Sequence, residues 1–243
     1  MDLHSLFNSI VSFYLHDTTT AGLWIGLGTV CLGTGICLLF SVPLARLVEL
    51  IWVPPQIFRK FSSLVESVAI LVSFAERARR EGILALETVL DEIENDFMRD
   101  GLRLAVDGVE PELIKDILQT ELAFVEERHR QYQGILRLAG HLSLAMGAAS
   151  AFLNFMLLFF HLDSVSLGTG IAVALFGPIF SIFISFAIFY AWAEKLRFIS
   201  NEEVLRKEIM IEGVMSIQSG DNPRILEAKL LAFLPPYQRS PKE

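Results

Sequence analysis

Residues 142–162 read LSLAMGAASAFLNFMLLFFHL, and residues 168–193 read GTGIAVALFGPIFSIFISFAIFYAWA. Neither run contains an Asp, Glu, Lys or Arg. At about 1.5 Å per residue they make helices of roughly 31 and 39 Å, enough to cross a hydrocarbon core of about 30 Å. The short loop His161–Leu167 joins them, so the pair reads as an antiparallel hairpin in a membrane. A third uncharged run, Ala21–Val42, reaches roughly 33 Å as a helix. The whole chain of 243 residues is 53% hydrophobic, with a mean hydropathy of +0.50. That is too apolar for an ordinary soluble domain and leaves room for polar regions between the spans.

The basic residues set the expected topology. Twelve Lys and Arg lie between Arg46 and Arg137, and eight between Lys195 and Lys242. Cytoplasmic loops carry the excess of Lys and Arg, so both segments are expected inside. The N-terminus and the His161–Leu167 loop then fall on the outside. The first twenty residues have no basic stretch and no cleavage pattern of a secretory signal. They do carry Leu3, Leu6, Phe7, Ile10, Val11 and Tyr14 at helical spacing, an amphipathic segment too short to span.

The expected class is therefore all-α: a polytopic membrane protein with three transmembrane helices, an N-terminal amphipathic helix and a cytoplasmic helical region. The segments are 1–20 (periplasmic amphipathic helix), 21–45 (first span), 46–141 (cytoplasmic helices), 142–193 (hairpin) and 194–243 (cytoplasmic C-terminal helices). Within 46–141, Leu64–Val89 and Leu113–Leu138 have helical apolar spacing. Turns are expected at Asn95–Gly101 and Asp107–Pro111. Pro54-Pro55 is expected to break or kink the chain. Pro178 is expected to kink the last span and free a carbonyl about one turn earlier.

No enzyme is visible. The histidines His4, His16, His129, His141 and His161 are scattered without ligand spacing. Cys31 and Cys37 both sit in the first span and read as apolar packing residues. No phosphate loop, nucleophile motif or basic stripe for nucleic acid stands out. Neither a cofactor nor a metal is expected.

The polar residues inside the spans are few. Ser143, Ser150 and Asn154 share a stripe at i, i+7, i+11, while Thr169, Ser181 and Ser185 lie in the last span beside Pro178. Two readings stand: a polar pore lining, or hydrogen bonds between helices. In the first span Gly22 and Gly26 have the small-xxx-small spacing that lets backbones approach closely. An ion relay in lipid needs an ionisable group, and no span offers an acidic or basic one. This chain cannot carry an ion alone.

Four blocks then carry a resemblance. The C-terminal part reads Glu212-Gly213-Val214, Ile217, Gly220-Asp221-Asn222-Pro223-Arg224-Ile225-Leu226-Glu227, Lys229-Leu230 and Phe233-Leu234-Pro235. Earlier come Ala75-Glu76-Arg77-Ala78-Arg79-Arg80-Glu81-Gly82-Ile83-Leu84-Ala85-Leu86-Glu87, then Arg99-Asp100-Gly101-Leu102-Arg103-Leu104-Ala105-Val106-Asp107-Gly108, then Glu126-Glu127-Arg128-His129 with Gly140. Together they resemble the MotA-type subunits of the MotA/TolQ/ExbB family, over roughly residues 25–236.

The resemblance implies a stator subunit of the bacterial flagellar motor in the inner membrane. It implies a pentameric homo-oligomeric ring around a MotB-like partner, a single-span peptidoglycan-binding protein whose Asp carries a proton or sodium ion. It also implies that Arg79 and Glu87 face the rotor switch protein. Eight residues apart on one helix, those two would lie about 80° apart in azimuth.

Three departures from the family pattern matter. Most members have four spans, and three are read here. Leu144 and Ala151 stand where the pattern has Pro and Thr, and Pro178 stands where it has a Thr facing the partner's carboxylate. A conducting stator, a non-conducting accessory paralogue and a TolQ/ExbB-like energiser all remain open on these residues.

Overall fold

The computed structural model describes residues 18–57, 64–93, 95–160 and 166–235. The expected amphipathic helix at Leu3–Leu15 and most of the His161–Leu167 loop lie outside the described residues. Every regular element among the described residues is helical. In order they are α1 (Thr18–Ser41), α2 (Leu44–Ile57), α3 (Leu64–Glu81), a 3-10 helix (Ile83–Glu92), α4 (Asp96–Val106), α5 (Pro111–Phe160), α6 (Leu167–Ile184), a π-helical stretch (Ser185–Tyr190), α7 (Ala191–Gln218) and α8 (Pro223–Ala232). Three helical stretches are long and apolar enough to cross a membrane: Gly22–Ser41, a part of Pro111–Phe160 and a part of Leu167–Gln218.

The chain divides into two compact units. One comprises residues up to Ile57 with Gln131–Leu196; the other comprises Phe58–Arg130 with Arg197–Glu243. The apolar runs end near 45, 141 and 193, yet these divisions lie some residues further along the helices. Side-chain ties explain the offset. Tyr132 Oη donates to Glu49 Oε2 at 2.9 Å, and Arg137 Nη2 donates to Glu194 Oε1 at 2.8 Å. Both ties join helix extensions to one another just beyond the apolar runs.

The second unit holds a water-type core. Leu71, Leu86, Leu102, Ile114, Leu118, Ile209, Met210, Leu226 and Leu230 are fully buried in one cluster. Each such side chain contributes roughly 1.5–3 kcal/mol by leaving water. Local chemistry sets the element ends. Asn95 caps α4 by accepting from the Met98 N–H at 3.1 Å. Pro111 opens α5, where its missing N–H costs nothing.

Two expectations are corrected, and two connections are shown to be continuous. The helix expected over Leu64–Val89 stops at Glu81, because Gly82 takes φ 87°, a left-handed region that Gly enters without a Cβ penalty. The chain resumes as a ten-residue 3-10 helix that buries Leu86 and Leu90. The turn expected at Asn95–Gly101 is only Asn95, and Asp96 to Gly101 are helical. Gly101 reads as a breaker but is a packing residue: a Cβ there would lie 3.1 Å from Leu118 Cδ1 and 3.3 Å from Val214 Cγ2. Leu113–Leu138 and the second span are one continuous 50-residue helix, since nothing between them breaks the ladder. Finally, α2 runs through Pro54 and Pro55 to Ile57. The turn at Asp107–Pro111 is observed, with Gly108 at φ 73°.

Candidate functional site

In the first unit α1, α5 and α6 meet along a seam of small residues. The backbones of α1 and α6 touch where Gly26 faces Gly177: a Cβ on Gly26 would lie 3.5 Å from the Gly177 Cα. One turn along α5, a Cβ on Gly147 would run into the Ser181 side chain and lie 3.4 Å from the Pro178 Cα. A Cβ on Gly177 would lie 2.9 Å from the Ser150 Cβ. At Gly147 and Gly177 the helices approach too closely to admit a side chain, whereas a Cβ on Gly26 would make ordinary contact.

The polar residues expected from the spans are brought together here. Ser143, Ser150, Asn154 and Ser181 are all buried, and Ser185 joins them. Their hydrogen bonds run to the backbone. Ser143 Oγ reaches Ser181 O at 3.5 Å, and Ser185 Oγ donates to Gly140 O at 3.0 Å, both across from one helix to the other. Ser150 Oγ donates to Gly147 O at 2.7 Å, Asn154 Nδ2 to Ser150 O at 3.0 Å, and Ser181 Oγ to Pro178 O at 2.8 Å, each within its own helix. Hydroxyls that donate to carbonyls in this way do not form a hydroxyl-to-hydroxyl chain. The geometry is that of a closed helix seam. Each bond between helices in a membrane is worth about 0.6 kcal/mol, and up to ~1.7 kcal/mol.

Pro178 lies inside α6, which has no N–H to offer there. The ladder changes again at Ser185–Tyr190, where it widens to a π-helix. Gly140 accommodates that turn: a Cβ there would lie 2.8 Å from Tyr190 Cε2. The Tyr190 ring meets His141 edge-on at 5.7 Å between centroids. Sequence reasoning missed the π-helical stretch. The only signal for it was the close spacing of Ser181, Ser185 and Tyr190 opposite a lone glycine.

Arg79 and Glu87 lie in the second unit, both exposed. They do not share one helix as expected. Arg79 lies in the last turn of α3, Glu87 sits on the 3-10 helix, and Gly82 separates the two elements. The join is braced by Arg77, which pairs with Glu81 at 3.3 Å and donates to Thr88 Oγ1 at 3.3 Å.

The C-terminal signature has a structural explanation. Gly220 takes φ 71°, and Asn222 caps α8 by accepting from the Arg224 N–H at 3.1 Å. Asp221 accepts from Ser216 Oγ at 2.6 Å and Lys229 Nζ at 2.9 Å. Those two hydrogen bonds hold its carboxyl below the usual carboxylate range. Gly213 lets α7 press on α3, since a Cβ there would lie 2.6 Å from Leu71 Cδ1.

A model of the MotA/TolQ/ExbB proton channel family matches residues 89–209. Motility protein A of Borreliella burgdorferi is 40% identical over 177 residues, covering 72% of this chain and 68% of that protein. The chain belongs to the MotA/TolQ/ExbB proton channel family. Two solved structures place it within that family. The C. jejuni MotAB structure superposes with a TM-score of 0.83 at 25% identity, over 100% of both chains. The flagellar MotAB stator complex of Bacillus subtilis gives 0.82 at 30% identity, over 88% of this chain and 85% of that one. Within the MotA/TolQ/ExbB family this is a stator subunit of the MotA type, a multi-pass protein of the inner membrane.

Proposed function

We propose that this chain works as the ring-forming subunit of a conducting stator, with a MotB-like single-span partner that brings the ionisable carboxylate. One observation carries the reading. The apolar runs hold no acidic or basic side chain, and the buried hydroxyls of Ser150, Ser181 and Ser185 are spent on backbone carbonyls, while the buried Thr34 Oγ1 and Asn154 Oδ1 have no partner among the described residues. The ion therefore passes between this chain and the partner helix, not through the seam inside the subunit. Ser143, Ser150, Asn154, Ser181 and Pro178 then shape the helices that line the path without ligating the ion.

The N-terminus is outside and the C-terminus cytoplasmic, on the placement of Lys and Arg. The copies form a homo-oligomeric ring, pentameric by resemblance, embedded in lipid. Arg79 and Glu87 are offered to the rotor switch protein. Both are exposed, and the Arg77 brace fixes the join between the two elements that carry them. Exposed charges of this kind steer docking and are screened by salt.

The test is ion flux in vesicles holding this chain and its MotB-like partner. Flux is expected, and is expected to vanish when the partner's Asp becomes Asn. Flux unchanged by that substitution would contradict the reading. Absence of flux with the intact partner, in an assembled complex, would favour an accessory subunit, which Leu144, Ala151 and Pro178 at the family's Pro and Thr positions argue for.

A further inference from the structure

The second unit carries a cavity of about 440 Å³ between α3, the 3-10 helix, the start of α4 and α7. Its inner wall is apolar: Ile93, Met98 and Met210 are buried, and Phe74 is half-buried beside them. Two carboxylates line it as well, Glu66 in the first turn of α3 and Glu92 at the end of the 3-10 helix, and both residues are exposed. No lysine, arginine or histidine is among the lining residues. Two of the neutral polar groups are already engaged. Ser73 Oγ donates to Ile70 O at 2.7 Å, and Asn95 Oδ1 accepts from the Met98 N–H at 3.1 Å. The charge lining this cavity is therefore of one sign.

We propose that this cavity binds a small organic ammonium ion with an apolar arm: Glu66 and Glu92 take the charge, and Phe74, Met98 and Met210 take the arm. The volume lies within the roughly 300–1,000 Å³ of small-molecule pockets. An occupant that fills the cavity strips water from the carboxylates at its mouth, which costs free energy unless positive charge replaces the water. A neutral apolar molecule leaves that cost standing, and an anion adds repulsion to it. A bare divalent cation needs about six oxygen ligands, and an apolar wall supplies none. An ammonium joined to hydrocarbon meets both halves of the lining.

The wall itself favours such a ligand. An ammonium group is drawn to the face of an aromatic ring, which Phe74 supplies, and a methionine thioether is soft and adapts its shape to the guest. The two carboxylates also concentrate cations at the mouth before contact, an effect that salt screens. Glu66 and Phe74 come from α3, Glu92 from the 3-10 helix, Met98 from α4 and Met210 from α7, so an occupant touches four elements of the unit. The site uses neither Arg79 nor Glu87, and it does not depend on whether the assembled channel conducts.

The experiment is methyl NMR on the assembled complex in detergent, with isotope-labelled methionine methyl groups and benzyltrimethylammonium as the probe. The probe's ring shifts the signals of methyls close to it. Met98 and Met210 are expected to shift and to saturate in the millimolar range, while Met146 and Met156 of the first unit stay in place. Phenylacetate carries a similar ring with the opposite charge and is expected to move none of them. Tetramethylammonium, which lacks the arm, is expected to compete only at severalfold higher concentration than the probe itself needs. E66Q and E92Q change exposed residues at the mouth, and each is expected to raise the half-saturating concentration roughly two- to fivefold, the double variant more. The proposal is overturned if the Met98 and Met210 signals do not saturate with the probe, or if Met156 moves in their place. It is equally overturned if phenylacetate shifts them at the same concentrations, if tetramethylammonium competes as well as the probe binds, or if the double variant leaves the half-saturating concentration unchanged.

Discussion

The two units of this chain bury different mixtures: the first sets serines and an asparagine among Val30, Leu158 and Val173, while the second is mostly aliphatic. In the second unit Leu71, Leu86, Leu102 and Ile114 are buried, and Arg79, Arg80, Glu87 and Asp91 face outward. In the first unit Ser143, Ser150, Asn154 and Ser181 are buried, and Phe40, Phe152, Ile179 and Phe183 are exposed. One chain is thus folded for two solvents. In water the core forms because apolar surface leaves it. In lipid that drive is absent, and what remains is close packing and hydrogen bonding between helices. Glycines accordingly sit at the tightest contacts of the first unit, at Gly147, Gly170 and Gly177.

That contrast can be broken most sharply at Gly147. Gly147→Val puts a branched side chain onto Ser181 and the Pro178 backbone. Loss of the assembled complex is expected on size-exclusion chromatography in detergent, and an intact complex would show that the seam is looser than described.

In the second unit the largest effect is expected from deleting core volume. Leu102→Ala, at a fully buried site, should destabilise by about 2–5 kcal/mol, read as a lower midpoint in thermal unfolding. A smaller loss is expected from Asn95→Ala, about 1 kcal/mol, because the Met98 N–H loses its acceptor. The counterpart in the membrane is Ser185→Ala, which removes the bond to Gly140 O and should cost about 0.6 kcal/mol, at most ~1.7 kcal/mol. If Ser185→Ala costs more than Leu102→Ala, the contrast between the units is wrong.

The smallest effect concerns pH. Asp221 is held below its ordinary value by the hydrogen bonds from Ser216 and Lys229. Its contribution is present above about pH 4 and is lost as the pH falls through the folded value. Asp221→Asn should remove that acid dependence from the unfolding curve and leave the curve unchanged in shape near neutrality.

Much of the membrane unit was legible because composition decides it. Runs of about twenty residues without charge leave few alternatives, and the stripe of Ser143, Ser150 and Asn154 already placed them on one face. What one sequence could not say was which way that stripe points. A buried seam and a pore lining demand the same residue types, and only the Ser150 and Ser181 bonds to nearby carbonyls separate them. The second unit was harder for a related reason. Gly82 and Gly101 look alike as letters, yet one supplies a left-handed turn and the other makes room for Leu118 and Val214. The 3-10 helix at Ile83–Glu92 was hidden because its apolar residues, Ile83, Leu86, Val89 and Leu90, fit a 3.6-residue period nearly as well as a period of three.

The most direct test of the account is thiol labelling from water. In a background lacking Cys31 and Cys37, Ser150→Cys and Asn154→Cys are treated with a membrane-impermeant, water-soluble thiol reagent in the assembled complex, with Arg79→Cys as the exposed reference. A closed seam predicts rapid labelling at position 79 and none at 150 or 154. Labelling at 150 and 154 at a rate close to that at 79 would mean that water runs through the inside of the subunit, and the ion path would have to be redrawn there.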